Sequence, residues 1–194
     1  AFNGCIYNYK ALREELIADG YRFFSTGDTE VVLKAFHAWG PECVQRLNGM
    51  FAFAIYERDS GRLTLARDRL GIKPLYLSES GKRLRFASSL PAILAAGDTD
   101  TSIDPIGLNH YMSFHAVVPP PYTVLRGVRK LPPATYAVFE ADGTRKDTTY
   151  WKVDFTRSAD EMKLSDEEWC DRVFDALALS IDRRLEADVD VGVL

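Results

Sequence analysis

Apolar residues recur at helical spacing near the start of the chain. Leu12 and Leu16 lie four residues apart and predict a short amphipathic helix over residues 9–19. A second helix is predicted over residues 29–39, where apolar positions again recur every three or four residues. A third, shorter helix fits residues 41–47, because proline is favoured in the first turn of a helix. This part of the chain is therefore predicted to be mainly helical.

The pattern becomes strand-like after Gly49. Residues 50–56 form an apolar, aromatic run, and residues 62–67 alternate polar with apolar positions after an Asp-Ser-Gly turn signal. Residues 75–77 and 83–87 flank a second turn signal, so two consecutive hairpins are predicted. Helices beside consecutive hairpins are typical of a layered α+β domain.

Prolines and caps organise the rest of the chain. Asp-Pro predicts a helix over residues 105–114, and the proline run at 119–121 excludes regular structure there. A hairpin is predicted over residues 135–151, turning at Asp-Gly. Ser165 and Glu168 fit a capping box at the start of a long helix.

The predicted domains follow from these elements. Residues 1–151 form a first domain, residues 152–164 are the expected linker, and residues 165–194 supply the first helix and strand of a second domain. The chain starts without a Met and ends on the apolar run 189–194, so a fragment truncated at both ends is expected.

Composition narrows the class of protein. A chain of 194 residues with 46% hydrophobic and 27% charged residues is typical of a globular protein. A net charge of -4 without clustered Lys and Arg argues against a nucleic-acid partner. Cys5, Cys43 and Cys170 have spacings that fit neither a disulfide framework nor a zinc site. No apolar run is long enough to span a membrane, which argues against a membrane partner, and a cytoplasmic location is expected.

Two short polar segments carry the candidate chemistry. The Asn3 amide and the Gly4 main-chain N–H are suitable donors to an oxyanion. The Asp28 carboxylate is suited to accept from a ligand ammonium. Structural alternatives stay open, because Asn-Gly fits a turn and Asp28 fits a helix N-cap. Arg67 and Asp68 are expected to form a strand-end ion pair that holds the following turn.

Four segments, in this order, resemble the glutaminase domain of asparagine synthetase-like enzymes. They read Asn-Gly-Cys-Ile-Tyr-Asn at 3–8, Gly-Asp-Thr-Glu at 27–30, Gly-Met-Phe-Ala-Phe at 49–53 and Arg-Asp-Arg-Leu-Gly-Ile-Lys-Pro-Leu-Tyr at 67–76. The resemblance implies a class II glutamine amidotransferase with the αββα sandwich of N-terminal-nucleophile hydrolases, here incomplete. Residues 188–194 resemble the first strand of an α/β ATP-pyrophosphatase domain, so the resemblance implies the start of that domain too.

The resemblance also implies roles for individual residues. Asn3 and Gly4 would form the oxyanion hole for glutamine hydrolysis, and Asp28 with the main chain at Gly27 would hold the α-amino group of glutamine. The family's nucleophile is a cysteine at the mature N-terminus whose own α-amine acts as the base. Ala1 cannot serve in that role, so this chain alone is expected to be inactive. A noncatalytic module with a glutaminase fold remains the alternative.

Cys5 distinguishes this chain from most asparagine synthetases, which usually have Glu at the equivalent position and contact the glutamine amine there. The chain resembles one subfamily, the N-acetylglutaminylglutamine amidotransferases, at three places: the segment at 3–8, Ser89 and the segment at 114–119. The resemblance therefore implies aspartate or N-acetylglutaminylglutamine as the acceptor carboxylate. It also implies that the synthetase domain binds ATP and Mg²⁺. A homodimer is a further possibility for this family.

Overall fold

The computed structural model describes residues 1–81, 83–185 and 192. The chain divides into two compact units, residues 1–152 and residues 153–194. Each unit is described by itself. The strand predicted at 189–194 lies, apart from Gly192, outside the described residues, and the assignment of residues 165–194 to an ATP-binding domain stays a prediction.

The first unit combines two antiparallel sheets with helices. In chain order it contains β1 (Phe2–Ile6), α1 (Tyr9–Ala18), α2 (Asp28–Trp39), a 3₁₀ segment (Gly40–Gln45), β2 (Gly49–Tyr56), β3 (Leu63–Arg67), β4 (Tyr76–Ser80), β5 (Arg83–Ala87), α3 (Leu90–Ala95), α4 (Pro105–Ser113), β6 (Arg129–Lys130), β7 (Thr135–Phe139) and β8 (Arg145–Thr149). The helices expected at 9–19 and 29–39 and all three hairpins are confirmed. The helix expected at 41–47 is instead a 3₁₀ segment.

The two sheets are stacked; α1 and α2 pack on the larger sheet, and α3 contacts β4 and β5 of the smaller one. The larger sheet has the strand order β1-β2-β3-β7-β8, and the smaller has the order β5-β4-β6. Along β2, Phe51 and Phe53 lie in the core beneath α1 and α2, whereas Ala52 and Ala54 lie in the core shared with β4. Because neighbouring strand residues point to opposite faces, this alternation builds a helix–sheet–sheet order of layers.

β1 replaces the turn that Asn3-Gly4 would also have allowed. Its five residues pair in register with β2, from Phe2 opposite Phe53 to Ile6 opposite Gly49. The alternative of a turn at Asn3-Gly4 is therefore wrong. Pairing with a distant strand decides this conformation, which local sequence leaves open.

The second unit contains a 3₁₀ segment (Glu161–Lys163) and α5 (Asp166–Arg184). The predicted capping box is confirmed: the Glu168 N–H donates to Ser165 Oγ at 3.2 Å, and the Ser165 N–H donates to Glu168 Oε2 at 2.8 Å. Among the described helices, none is both long and apolar enough to cross a membrane.

Candidate functional site

β1 exposes one side of its main chain at the edge of the larger sheet. Within the described residues, β2 is the only strand paired with β1. Beyond the end of β1, the Tyr7 N–H donates to the Asn48 carbonyl at 2.7 Å, so odd-numbered residues face β2. Successive residues of an antiparallel strand direct their N–H groups to opposite sides. The N–H groups of Gly4 and Ile6 therefore point to the open edge.

Asp28 reaches the same edge from the first turn of α2. Its Oδ2 accepts a hydrogen bond from the Ile6 N–H at 3.0 Å. The N-cap position belongs to Gly27, and Asp28 lies inside the helix. The alternative of Asp28 as a helix N-cap is therefore wrong, because its carboxylate binds a strand instead. The Gly4 N–H lies two residues along that strand, about 7 Å from the Ile6 N–H at the usual strand rise.

Gly4 lies where β1 and β2 approach too closely for a side chain. A Cβ at Gly4 would lie 2.3 Å from the Met50 carbonyl oxygen and 2.8 Å from the Phe51 Cα. Gly49 on β2 is equally confined, with a Cβ position 2.2 Å from the Cys5 carbonyl oxygen. Glycine at position 4 is thus required by strand packing, independently of any role towards a ligand.

Asn3 and Asp28 do not line one common cavity among those described. Asn3 lines a cavity of about 220 Å³, whose wall includes Leu75 and Phe86. A second cavity, of about 350 Å³, is lined by the loop before α2 and by the first turns of that helix. The two cavities share three wall residues: Ala1, Phe2 and Phe53. Of Asn3, Gly4 and Asp28, Asn3 alone lines either of these two cavities, and Asp28 instead binds the last residue of β1.

Gly27 and Cys5 complete the set of predicted site residues. The Gly27 carbonyl accepts from Arg13 Nη2 at 2.9 Å, and its Cα faces open space. Cys5 is half-buried on β1. Because strand residues alternate, its side chain points to the same face as that of Asn3 and away from the face that buries Ile6. A contact between Cys5 and a glutamine amine stays a prediction.

Glu30 orders the loop before α2, a role that the sequence alone did not indicate. Its carboxylate, only 6% exposed, accepts from the Ser25 N–H at 2.8 Å and from Ser25 Oγ at 2.7 Å. Phe24 N–H donates to both oxygens at 3.2 Å. Burial alone raises the pKa of Glu30, but the hydrogen bonds from Ser25 and Phe24 outweigh it, and Lys34 adds to them, so the pKa is lowered to about 2. The position of Glu30 in the Gly-Asp-Thr-Glu segment is the sequence feature that could have indicated this role.

Arg67 and Asp68 hold the loop that leads to the Asn3 cavity. The Asp68 carboxylate is buried and accepts from four main-chain N–H groups, those of Phe51, Leu70, Ile72 and Lys73. The Arg67 guanidinium donates to three carbonyls, those of Gly71, Lys73 and Leu131. Burial lowers the pKa of Arg67, against the nearby charge of Asp68. Both side chains do hold the turn, but through main-chain hydrogen bonds rather than through the ion pair that was expected.

Comparison with solved structures identifies the fold. The chain is similar to the glutamine phosphoribosylpyrophosphate amidotransferase of B. subtilis, solved with ADP and GMP, with a TM-score of 0.53 and 20% identity over 81% of this chain and 30% of that one. This likeness shows the expected glutamine amidotransferase fold. The start of an ATP-pyrophosphatase domain stays a prediction.

Sequence comparison finds relatives along almost the whole chain. Asparagine synthetase (glutamine-hydrolysing) 1 of Bacillus subtilis (strain 168) is 38% identical over 98% of this chain and 29% of its own length. Asparagine synthetase (glutamine-hydrolysing) 3 of the same organism is 34% identical over 98% of this chain and 30% of its own length. The chain thus spans about three tenths of the length of these curated relatives. Residues 1–151 match the family model described as a glutamine amidotransferase domain, and this chain therefore belongs to that family.

Proposed function

We propose that the longer protein containing this chain hydrolyses glutamine at the open edge of β1 and uses the ammonia to form an amide. One observation carries the proposal. The Asp28 carboxylate binds the Ile6 N–H at the strand edge to which the Gly4 N–H also points, and these two N–H groups are about 7 Å apart in a glutamine amidotransferase domain. An extended glutamine spans this separation with its ammonium at one end and its carboxamide at the other.

Each site residue has a role in this proposal. The Asn3 amide and the Gly4 N–H donate to the oxyanion that forms when a thiolate attacks the glutamine carboxamide carbon. The Asp28 carboxylate, beside the main chain at Gly27, accepts from the α-ammonium. The Gly27 carbonyl accepts from Arg13 and, as the N-cap carbonyl of α2, also accepts the first hydrogen bond within the helix, so the Asp28 carboxylate is the main acceptor for the ligand. Cys5 is proposed to lie near the same α-ammonium.

The nucleophile of the proposed reaction is a cysteine in the part of the longer protein that precedes Ala1. Its sulfur bonds to the carboxamide carbon, and the carbon–nitrogen bond breaks to release ammonia, with the α-amine of that cysteine passing the proton. Water then hydrolyses the thioester to glutamate and frees the thiol. In this proposal the described residues supply substrate binding and oxyanion stabilisation.

The acceptor is proposed to be aspartate or N-acetylglutaminylglutamine, and Cys5 and Ser89 favour the second. ATP, when bound in a synthetase domain of the longer protein, supplies the activation of the acceptor carboxylate. Mg²⁺ is proposed to bind in the same domain, because it is usually held by the phosphates of the nucleotide and one or two carboxylates. A noncatalytic glutaminase-fold module is the alternative, and the likeness to glutamine-hydrolysing relatives does not favour it.

The test is an assay of the full-length protein for glutamate and AMP release. Glutamine and ATP are supplied with aspartate, with N-acetylglutaminylglutamine or with no acceptor. The proposal predicts glutamate release and acceptor-dependent AMP release with one of the two acceptors. Absence of glutamine-dependent AMP formation with both acceptors would contradict it.

A further inference from the structure

The loop immediately before Asp28 buries little apolar surface. The Phe24 side chain is 92% exposed, and Thr26 and Gly27 are exposed as well. Hydrophobic packing therefore contributes little to the order of residues 24–27, which are called the clamp loop below. Its conformation depends on hydrogen bonds from two charged side chains on the flanking helices.

Arg13 on α1 holds the carbonyl side of the clamp loop. Its Nη1 donates to the Ser25 carbonyl at 2.6 Å, and its Nη2 donates to the Gly27 carbonyl at 2.9 Å. The guanidinium carbon also lies 4.9 Å from the centre of the Phe23 ring. A planar guanidinium that binds two carbonyls at once fixes their relative orientation, which a single ammonium cannot do.

Glu30 on α2 holds the amide side of the same loop. It accepts from the main-chain N–H groups of Phe24 and Ser25 and from Ser25 Oγ. Lys34 Nζ lies 3.4 Å from Glu30 Oε1 and completes the charge pair. Ser25 is consequently held by both side chains. Its N–H and hydroxyl donate to Glu30, and its carbonyl accepts from Arg13.

We propose that Arg13 and Glu30 are positioning residues for the α-ammonium of glutamine. They fix the clamp loop, including the Gly27 carbonyl, so that the Asp28 carboxylate directly after it presents its acceptor oxygens in one fixed arrangement. Neither side chain has to touch the substrate, because both act through the main chain of the loop. The inference rests on the proposed function, and it names the residues that give the site its preference for a substrate with an α-amino group.

The expected signature is a change in selectivity between two substrates. Glutamine and glutaramate carry the same carboxamide, but glutaramate lacks the α-amine. A disordered clamp loop weakens binding of the ammonium and leaves attack on the carboxamide intact. The ratio of kcat/KM for glutamine to kcat/KM for glutaramate therefore falls, with the loss expressed mainly in the KM for glutamine. A general loss of folded enzyme lowers both values equally and leaves the ratio unchanged.

The experiment measures this ratio for the full-length protein with Arg13→Gln, Arg13→Lys and Glu30→Gln. Arg46→Gln is the matched control, because Arg46 also joins two elements of the helical layer, through Glu15 at 2.6 Å, but contacts no residue of the clamp loop. We expect the ratio to fall about tenfold for Arg13→Gln and Glu30→Gln, because each variant loses charged hydrogen bonds that order the loop and loses no direct contact with the substrate. Arg13→Lys should be intermediate, and Arg46→Gln should match the unsubstituted protein.

Two results separate the possible failures. If the unsubstituted protein hydrolyses glutamine and both Arg13→Gln and Glu30→Gln keep its selectivity ratio, the positioning role is wrong while the proposed function stands. If the unsubstituted protein does not hydrolyse glutamine, the proposed function fails and the positioning role fails with it.

Discussion

Asp28 lies in the first turn of α2, yet its carboxylate accepts a hydrogen bond from the Ile6 N–H of β1 at 3.0 Å. This bond joins the helical layer to the open edge of the larger sheet. It brings the Gly-Asp-Thr-Glu and Asn-Gly-Cys-Ile segments, more than twenty residues apart in sequence, to one place. The remaining lone pairs of the carboxylate are available to an ammonium at that edge.

Asp28→Asn should separate the structural role of this residue from its charge. The asparagine oxygen can still accept from the Ile6 N–H, so the link between α2 and β1 is retained. The attraction to an ammonium is lost, and we expect kcat/KM for glutamine to fall about tenfold to a hundredfold in the full-length protein. Asp19→Asn, at the exposed C-cap of α1, is the control. Equal activities for the two variants would contradict the assigned role.

Gly4→Ala should destabilise the fold before it affects chemistry. The new methyl group would overlap the main chain of β2 at Met50 and Phe51, so we expect a loss of about 2 kcal/mol or more in the free energy of unfolding. Gly27→Ala is the matched control, because its φ of -75° suits alanine and its Cβ meets open space. There the loss should be about 1 kcal/mol or less, the cost of an alanine N-cap. Thermal unfolding of the full-length protein measures both, and similar midpoints would contradict the close approach of β1 and β2.

Asp68→Asn should be among the most damaging conservative changes in the domain. Four main-chain N–H groups converge on this buried carboxylate, and an amide replaces one acceptor oxygen with a donor. We expect a loss of about 2–4 kcal/mol in the free energy of unfolding. Asp98→Asn is the control, since Asp98 is exposed and asparagine tolerates its φ of 50°. Chemical denaturation compares the two, and a neutral Asp68→Asn would show that the loop does not depend on the carboxylate.

Glu30 should contribute stability that depends on acid pH. Its pKa is lowered from 4.5 to about 2 in the folded protein, so its contribution is fully present above about pH 4.5. That contribution is lost as the pH falls from 4.5 towards 2, because the unfolded chain takes up the proton first. The stability difference between the unsubstituted protein and Glu30→Gln should therefore shrink over this range, as measured by urea denaturation at a series of pH values. A difference that stays constant with pH would contradict the lowered pKa.

Local sequence patterns predicted the helices and strands that are determined by residues close together in the sequence. The four-residue spacing of Leu12 and Leu16 gave α1, because both side chains are buried on one helix face. Ser165 and Glu168 gave the start of α5, because a capping box is complete within four residues. The hairpin of β2 and β3 followed from its turn signal. The four ordered segments also gave the family.

Contacts between distant residues could not be predicted in the same way. The local sequence of Asn3-Gly4 is compatible with a turn, but Gly4 lies opposite Phe51 on β2. Asp28 is compatible with a helix N-cap, but its carboxylate binds the Ile6 N–H. Asp68 was expected to pair with Arg67, but its partners include the N–H of Phe51. In each case at least one partner is a main-chain group of a strand distant in sequence, which the residues of the segment itself do not indicate.

The most direct test of the central claim is a structure of the full-length protein with glutamine bound. The account predicts the α-ammonium within about 3 Å of an Asp28 carboxylate oxygen, and the carboxamide oxygen within about 3 Å of both the Gly4 N–H and the Asn3 amide nitrogen. Glutamine bound in another part of the protein, or oriented so that Asp28 and Gly4 contact the same end of the molecule, would contradict it.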